Sequence, residues 1–363
     1  MESLIYHQQI VFPDKNLISY EKLEKIVKRG KFFYNVYVNQ EEMNKVKNEN
    51  DSIFEKIIKF QEKYIGFYAK LNIKKEFVKF DNGIEDERIL RKMEFSIKNE
   101  NVKYFDEKYG SDINNFIDNL ESNYQKIVDK KKNTIYLQFS DISKCGYIKF
   151  SNKCTAYLFH ELVGHLLEKD YFEMKDNYIS KNEVAFPEWL VVSHEDEIIN
   201  DSLGVGKYDD LGEEFKKQVL ISNGKILSCL DRGNYRKSTF YEEAIPRMRT
   251  INVFSSKSLE KFYTDNYLIV NKIWAGVVNP ITGDVNIICD EVYKNCENIF
   301  YRLNGKLHIQ GKLKDLIENL RYLDQNLSYK TGKCIKKGQL LNVGVCGPDS
   351  VFSTRGLKLC VVE

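Results

Sequence analysis

The sequence predicts an α+β protein, with a short α/β domain at residues 1–140 and a β-rich domain at residues 141–363. Helical spacing of apolar and aromatic residues dominates the first part. Beyond residue 133, strand-like runs alternate with turn signals, and one long helix interrupts them. A chain of 363 residues is long enough for two such domains, and we find no internal repeat or low-complexity tract.

Three helices and one strand are expected in the N-terminal domain. Ile57, Phe60 and Tyr64 recur at helical spacing within one helix. Aromatic and β-branched residues favour a strand at 31–38. No group of catalytic residues is evident in this domain, so packing, a substrate chamber or a partner contact would explain it. The expected helices are 20–27, 53–71 and 116–127.

The C-terminal domain is expected to be mostly β-sheet. Ile135, Leu137 and Phe139 alternate as in a half-buried strand. Asn223-Gly224 and Asn304-Gly305 each separate two strand-like runs, as in a tight hairpin. Further strands are expected at 146–150 and 189–192, and a further turn at 279–284.

A helix that starts near residue 155 is the longest element expected in this domain. Leu158, Leu162 and Leu166 repeat every four residues, and the apolar residues that follow them form a second row. Thr155 could cap the N-terminus of this helix. The two rows predict a helix with a wide buried face.

Composition and charge exclude several classes of protein. With 42% hydrophobic residues, 30% charged residues and a net charge of +2, the chain resembles a soluble globular protein without general affinity for nucleic acid or membranes. No apolar run approaches the ~20 residues of a membrane span, and the N-terminus lacks the pattern of a signal peptide. We therefore expect a cytoplasmic protein. The eight cysteines form no CxxC pair, so most should be reduced.

His160-Glu161 and His165 form the most informative motif of the chain. Only five histidines are present, and two of them flank a glutamate. On a regular helix, residues at i and i+5 lie about 140° apart and could not hold one ion. A π-turn returns them to one face, and Gly164 tolerates such a distortion. The motif predicts a locally irregular, metal-binding helix; the alternative is a helix whose histidines face solvent.

A catalytic zinc site needs a third protein ligand and an open position for water. Cys334 is the favoured third ligand, because the glycines and three lysines around it would favour a thiolate. Glu168, three residues after His165, could orient that imidazole. The remaining histidines, each better explained as a surface or hydrogen-bonded residue, are His7, His194 and His308.

Arg247 and Arg249 are further candidates, for substrate binding or for support of the site. Their forked donors could hold a substrate carboxylate. A surface or interface ion pair is the alternative. The sequence does not decide between these roles.

Several segments, in one order, resemble the TldD/PmbA family of metalloproteases, and specifically its catalytic TldD type. Residues 160–170 are similar to its HExxGHxxExD helix, and residues 332–345 to its terminal cysteine-glycine signature. Ile335 replaces a glycine of that signature and Asn342 a proline. The resemblance covers roughly residues 145–363, and it implies that the N-terminal domain is shortened. Weaker matches, to an acidic turn with a hairpin, a Pro-Arg-Met segment and a Thr-Gly pattern, lie at 208–227, 245–248 and 276–283.

The resemblance implies a zinc metallopeptidase. His160, His165 and Cys334 would hold Zn²⁺, and Glu161 would act in catalysis. The substrate would be a peptide or an unfolded segment, such as the leader of a modified peptide. A TldE/PmbA-like subunit would be the partner in a heterodimer, with a homodimer as the alternative.

Two other functions fit parts of the pattern. A non-catalytic scaffold or binding subunit with a structural zinc site would close all four metal positions with protein ligands. A deformylase-like amidase also combines a histidine-glutamate helix with a cysteine. In that enzyme the cysteine precedes the helix and the histidines are four residues apart, which this sequence does not match.

Overall fold

The computed structural model describes residues 4–12, 17–25, 28–29, 32–33, 52–53, 55–57, 59–60, 62–64, 66–80, 85–98, 103–132, 135–137, 142, 145–181, 184–195, 203, 205–238, 242–260, 267–296 and 299–362. The chain divides into two compact units, one of residues 1–133 with 197–215 and one of residues 134–196 with 216–363. Helices and sheets are both present and strands predominate, which confirms the predicted α+β class.

The first unit contains a β-hairpin and a five-stranded sheet. Its strands are β1 (Leu4–Phe12), β2 (Leu17–Lys25), β3 (Lys28–Arg29), β4 (Phe32–Phe33), β5 (Phe67–Phe80), β6 (Glu85–Lys98) and β7 (Lys103–Tyr109). In the hairpin β1 pairs with β2, and in the sheet each of β3 to β7 pairs antiparallel with the next. Strands that are neighbours in this sheet therefore follow one another along the chain, and the helical residues between 52 and 63 lie in the connection from β4 to β5.

Helices cover one face of that sheet through an aromatic core. They are α1 (Ser111–Asp118), α2 (Leu120–Lys132) and the helical residues between 52 and 63. Phe95 on the sheet and Phe116 on α1 have ring centroids 4.4 Å apart. Phe60 and Phe67 pack edge to face at 5.0 Å. These buried rings join helix and sheet into one core.

Two of the three predicted N-terminal helices needed correction. Residues 17–25 form strand β2, not a helix, because pairing with β1 outweighs local helical propensity. The helix predicted at 53–71 ends by residue 63; from Phe67 the chain forms strand β5, and burial alternates from Phe67 to Ala69, as a strand requires. The helical prediction for 116–127 is confirmed, but these residues belong to two helices, α1 and α2, separated at Asn119. Of the strand predicted at 31–38, only Phe32–Phe33 is described as strand, and residues 34–38 lie outside the described residues.

The second unit contains a six-stranded sheet and a nine-stranded sheet. The six-stranded order is β12-β11-β10-β15-β22-β21, with β10 (Leu190–His194), β11 (Gln218–Ser222), β12 (Lys225–Ile226), β15 (Thr250–Ser255), β21 (Ser328–Lys336) and β22 (Gln339–Gly347). β21 is therefore an edge strand of this sheet. A separate pair is formed by β13 (Tyr235–Arg236) and β14 (Ile245–Pro246).

The nine-stranded sheet runs through the order β20-β23-β9-β16-β17-β18-β8, with β19 also paired to β17 and β24 paired to β19. Its strands are β8 (Ile135–Leu137), β9 (Tyr147–Phe150), β16 (Tyr267–Val278), β17 (Asp284–Cys296), β18 (Ile299–Leu303), β19 (Lys306–Lys312), β20 (Leu320–Leu323), β23 (Ser350–Ser353) and β24 (Lys358–Val362). The helices of this unit are α3 (Asn152–Phe159), α4 (Lys169–Phe172), α5 (Tyr178–Lys181) and α6 (Leu313–Glu318).

Helix α3 lies between the two sheets. It contacts β16 of the nine-stranded sheet and β15, β21 and β22 of the six-stranded sheet. Both predicted apolar rows, 158/162/166 and 159/163/167, are buried there. The helix begins after Ser151, so Thr155 is not its cap; the Thr155 hydroxyl is instead 2.7 Å from Ser350 Oγ.

Most C-terminal predictions hold, with one exception. Strands β9 and β10 are present, and Asn223 and Gly224 take positive φ angles of 50° and 72° in a tight hairpin turn. β8 confirms the strand at 135–137, whereas Phe139 lies outside the described residues. The prediction of a hairpin at Asn304-Gly305 is wrong, because β18 and β19 do not pair with each other. Both pair with successive parts of β17.

No helix in the described part of the chain is long and apolar enough to cross a membrane.

Candidate metal centre

The helix changes pitch at the histidine motif. Regular α-helix ends at Phe159, residues His160–Gly164 form a π-turn, and His165–Leu167 form a 3₁₀ turn. The predicted irregularity is therefore confirmed. The wider turn places the two imidazoles in edge-to-face contact, with centroids 4.9 Å apart.

Gly164 is needed here for close packing. Its φ and ψ of −55° and −54° suit any residue. A Cβ at this position would lie 2.2 Å from Met248 Sδ and 3.7 Å from Ile251 Cγ1. Close packing, and not the conformational freedom that the sequence suggested, therefore explains why glycine occupies position 164. The π-turn presses against the residues at the start of β15.

Cys334 lies beside both histidines. Its Sγ is 3.2 Å from His165 Nε2, and one ligand atom from each of the three residues lies within 4.8 Å of the others. His160 is completely buried, and neither of its ring nitrogens has a hydrogen-bond partner among the described residues. A buried imidazole without a partner is costly unless it has a ligand. Two nitrogens and one sulfur are donors suited to zinc, so these residues fit such an ion.

The cluster favours a thiolate. Burial alone would raise the pKa of Cys334, but His160 and His165 outweigh it and lower that pKa to about 4. For His165, burial alone would lower the pKa of the imidazole. The carboxylate of Glu168 and the sulfur of Cys334 outweigh burial and raise this pKa well above its usual range. The sequence suggested that nearby lysines would stabilise the thiolate of Cys334, but the two histidines lower its pKa. Cys334 also lies on strand β21, before the turn in which it was expected.

Glu168 holds the second nitrogen of His165. Its Oε2 is 2.9 Å from His165 Nδ1, and its Oε1 accepts the backbone N–H of Met248 at 3.1 Å. Glu168 is completely buried, yet the charges of His165 and Lys336 overcome the effect of burial and lower its pKa to about 2. An anionic carboxylate in this position fixes the orientation of the imidazole.

Lys336 is a functional candidate that the sequence argument did not single out. It is 2% exposed in its side chain, and its Nζ donates to Glu168 Oε2 at 2.7 Å, to Asp170 Oδ1 at 2.5 Å and to Pro246 O at 3.2 Å. Cys334 and Lys336 are two residues apart on one strand, so both face the helix. That spacing is the signal by which the sequence could have revealed it.

Glu161 lies on the open side of the cluster. Its Oε2 is 4.0 Å from His165 Nε2, and its side chain is 12% exposed. Burial raises its pKa above the usual range of a glutamate. A Cβ on Gly276 of β16 would lie 2.9 Å from Glu161 Cγ, so the backbone of β16 closely borders the carboxylate.

Arg247 and Arg249 lie inside the unit, 0% and 1% exposed. Arg247 donates to the carbonyl oxygens of Cys334 at 2.9 Å and Gln339 at 3.2 Å. The backbone N–H of Arg249 donates to His194 Nε2 at 2.6 Å. Burial excludes a surface ion pair for both arginines; Arg247 Nε instead lies 4.0 Å from Glu168 Oε1, and Arg247 supports the strand that carries Cys334. His194, interpreted from the sequence as a surface or hydrogen-bonded residue, is a buried, hydrogen-bonded residue of β10.

Comparisons with known proteins identify relatives of this chain. Residues 146–353 match the family described as the PmbA/TldA metallopeptidase C-terminal domain. A metalloprotease of Methanocaldococcus jannaschii is 23% identical over 267 residues, which cover 68% of this chain and 58% of that protein. The chain thus spans less than two thirds of the length of this relative.

Solved structures share the fold. The TldE structure from Thermococcus kodakarensis has a TM-score of 0.57 at 13% identity, with 91% of this chain and 79% of that chain covered. A protein of Bacteroides thetaiotaomicron described as a modulator of DNA gyrase has a TM-score of 0.55 at 12% identity, with 96% and 80% covered. At these identities the similarity concerns the fold alone.

Proposed function

This chain belongs to the PmbA/TldD metallopeptidase family, and from its site geometry we propose that it is a zinc-dependent peptidase of the catalytic, TldD type. The observation that carries the proposal is the convergence of His160, His165 and Cys334, with the carboxylate of Glu161 beside them. The three ligating residues would hold the metal. When bound, zinc would polarise a peptide carbonyl and acidify water to a pKa of about 7.

Glu161 is the proposed proton acceptor. Its raised pKa makes the carboxylate a better base near neutral pH than an exposed glutamate would be. Glu161 would take a proton from the attacking water at a carboxylate oxygen and return it to the nitrogen of the leaving amine. Glu168, through His165 Nδ1, keeps the imidazole in one tautomer and one orientation during this transfer.

A structural zinc site is less well supported than a catalytic one. A closed site needs four protein ligands. In the part of the chain that the structure describes, the metal-binding group has three members. A metal held by these three residues would keep one position for water or substrate, on which Glu161 would act.

The substrate class and the partner follow from the family. We propose peptides or unfolded protein segments as substrates, including leader peptides of modified peptides. The similarity to a TldE structure supports a partner subunit of that type, with which this chain would form a heterodimer. Arg247 and Arg249, being buried, are proposed to support the site and not to contact the substrate.

Zinc content and cleavage of an unstructured peptide, measured with the partner subunit present, test this proposal. Glu161→Gln should keep stoichiometric zinc and lose activity by a factor of about 10² to 10⁴, because the general base is removed. Cys334→Ala should lose both zinc and activity. Full activity of Glu161→Gln would contradict the mechanism, and stoichiometric zinc in Cys334→Ala would contradict the ligand set.

Matched controls are available on the same unit. Glu173→Gln removes an exposed carboxylate shortly after the motif, and Cys229→Ala removes a partly exposed thiol. Both variants should keep wild-type zinc content and activity.

A further inference from the structure

We propose that Tyr157 is a catalytic residue, whose hydroxyl donates a hydrogen bond to the carbonyl oxygen of the scissile peptide bond as negative charge forms on that oxygen. The inference rests on the proposed peptidase function. It assigns a role to a side chain that the motif itself does not include.

The ring of Tyr157 lies between His160 and strand β21. Tyr157 lies on α3, four residues before Glu161, so the two side chains occupy the same helix face. Its ring is nearly parallel to that of His160, with centroids 6.0 Å apart and an interplanar angle of 16°. On the other side, a Cβ at Gly332 would lie 3.6 Å from Tyr157 Cε2, so the ring edge is beside strand β21.

The hydroxyl of Tyr157 donates a hydrogen bond to the carboxylate of Glu161 and lies near Cys334. Burial, followed by the charges of Glu161 and Cys334, raises the pKa of Tyr157 above its usual range. Two anions on different elements affect this one hydroxyl because it is close to both. A phenol, with an ordinary pKa of about 10, is protonated at neutral pH, so the hydroxyl is a hydrogen-bond donor there.

A donor in this position has a chemical use. Attack of water on a peptide carbonyl moves negative charge onto the carbonyl oxygen, and a preorganised donor stabilises that charge more than it stabilises the neutral ground state. Glu161 handles the transferred proton, and Tyr157 keeps its own throughout, so no additional proton is consumed.

The nearby cations do not supply this donor. Lys336 Nζ is engaged by Glu168, Asp170 and the carbonyl oxygen of Pro246. Arg247 is completely buried and donates to two backbone carbonyls. Tyr157 is partly exposed beside the cluster, and its hydroxyl, which donates to Glu161 in the free protein, would donate to the substrate oxygen when a peptide binds.

Tyr157→Phe removes the hydroxyl and keeps the ring. With zinc-loaded protein and its partner subunit, kcat for an unstructured peptide should fall about 10² to 10³-fold, as expected for the loss of one oxyanion donor. KM should change little. Tyr301→Phe, on β18 of the nine-stranded sheet, is the control and should behave as wild type.

Two readouts other than activity separate a catalytic role from a structural one. A phosphinic peptide, whose anionic oxygen imitates the reacting carbonyl, should bind Tyr157→Phe about 10² to 10³-fold more weakly by calorimetry. Zinc affinity against a competing chelator, and the thermal unfolding midpoint, should remain at wild-type values.

A wild-type kcat in Tyr157→Phe, or an unchanged affinity of this variant for the phosphinic peptide, would overturn the inference. A loss of zinc affinity would also overturn it, because it would show that Tyr157 only positions His160. Glu161→Gln, measured alongside, distinguishes the two proposals. If Glu161→Gln is inactive while Tyr157→Phe is fully active, only the role of Tyr157 falls. If both are fully active, the peptidase proposal falls as well.

Discussion

His194 illustrates how burial sets the protonation state of a single residue. It is completely buried on β10, and its Nε2 accepts the backbone N–H of Arg249 at 2.6 Å. Burial, and then the positive charges of Arg249 and Arg236, lower its pKa to about 3. A neutral imidazole in this position is an acceptor that links β10 to the backbone before β15.

This lowered pKa predicts a loss of stability in acid. In the unfolded chain a histidine titrates near pH ~6.5, so between pH ~6.5 and ~3 the unfolded state binds more protons than the folded state. The free energy of unfolding should therefore fall as pH decreases through this window, by up to about 1.4 kcal/mol per pH unit, and should not depend on His194 above it.

Urea unfolding between pH 4 and 8 would measure this dependence. His194→Gln keeps an acceptor but cannot titrate, so its curve should be flatter than that of the wild type below pH ~6.5. His308→Gln, partly exposed on β19, should keep the wild-type slope. Equal slopes for wild type and His194→Gln would show that the buried imidazole does not set the acid sensitivity.

At the scale of the element, the π-turn depends on close packing against β15. Gly164→Ala would place a Cβ 2.2 Å from Met248 Sδ, which is fully buried and has little room to move. We expect a loss of about 1–3 kcal/mol in the free energy of unfolding, the usual effect of overpacking a core.

A double-mutant cycle tests the cause. Met248→Ala should remove most of the additional penalty of Gly164→Ala, so the two changes should be non-additive. Gly146→Ala is the matched control, because a Cβ there meets no atom within 4 Å, and it should be close to neutral. Additive effects of the 164 and 248 substitutions would indicate that the clash is not with Met248.

At the scale of the molecule, each of the two units has its own hydrophobic core. In the second unit, the His160/His165/Cys334 group joins the helix between the sheets to β21, the edge strand of one of them. A metal bound there would connect elements far apart in sequence, since Cys334 is 169 residues from His165. Metal binding should therefore stabilise this unit as a whole.

Calorimetric unfolding with and without a chelator tests that coupling. Zinc at 100 times its Kd should add about 2.7 kcal/mol to the stability of the wild type, and the chelator should remove it. Cys334→Ala should show no zinc-dependent shift, whereas Cys229→Ala should keep the full shift. If neither zinc nor the chelator changes the unfolding midpoint of the wild type, this group of residues does not bind the metal.

The sequence by itself determined the features that depend on local patterns. The i, i+5 spacing of His160 and His165 required a widened turn, and the apolar rows around it required burial, because helix geometry converts sequence separation directly into angle. Asn223-Gly224 predicted its hairpin, because few other residues tolerate the positive φ angles of that turn. The α+β class followed from the same periodicities.

Only the tertiary structure decided the features that depend on contacts between elements. Pairing with β1 makes β2 a strand, and pairing of β18 and β19 with β17 replaces the hairpin predicted at Asn304-Gly305; both override local propensity. The proximity of Cys334 to the histidines, the burial of Lys336 and the proximity of Tyr157 to Cys334 arise from the packing of β21 against the helix. Sequence patterns encode angle and burial over a few residues, whereas the meeting of distant side chains depends on how whole sheets enclose the helix.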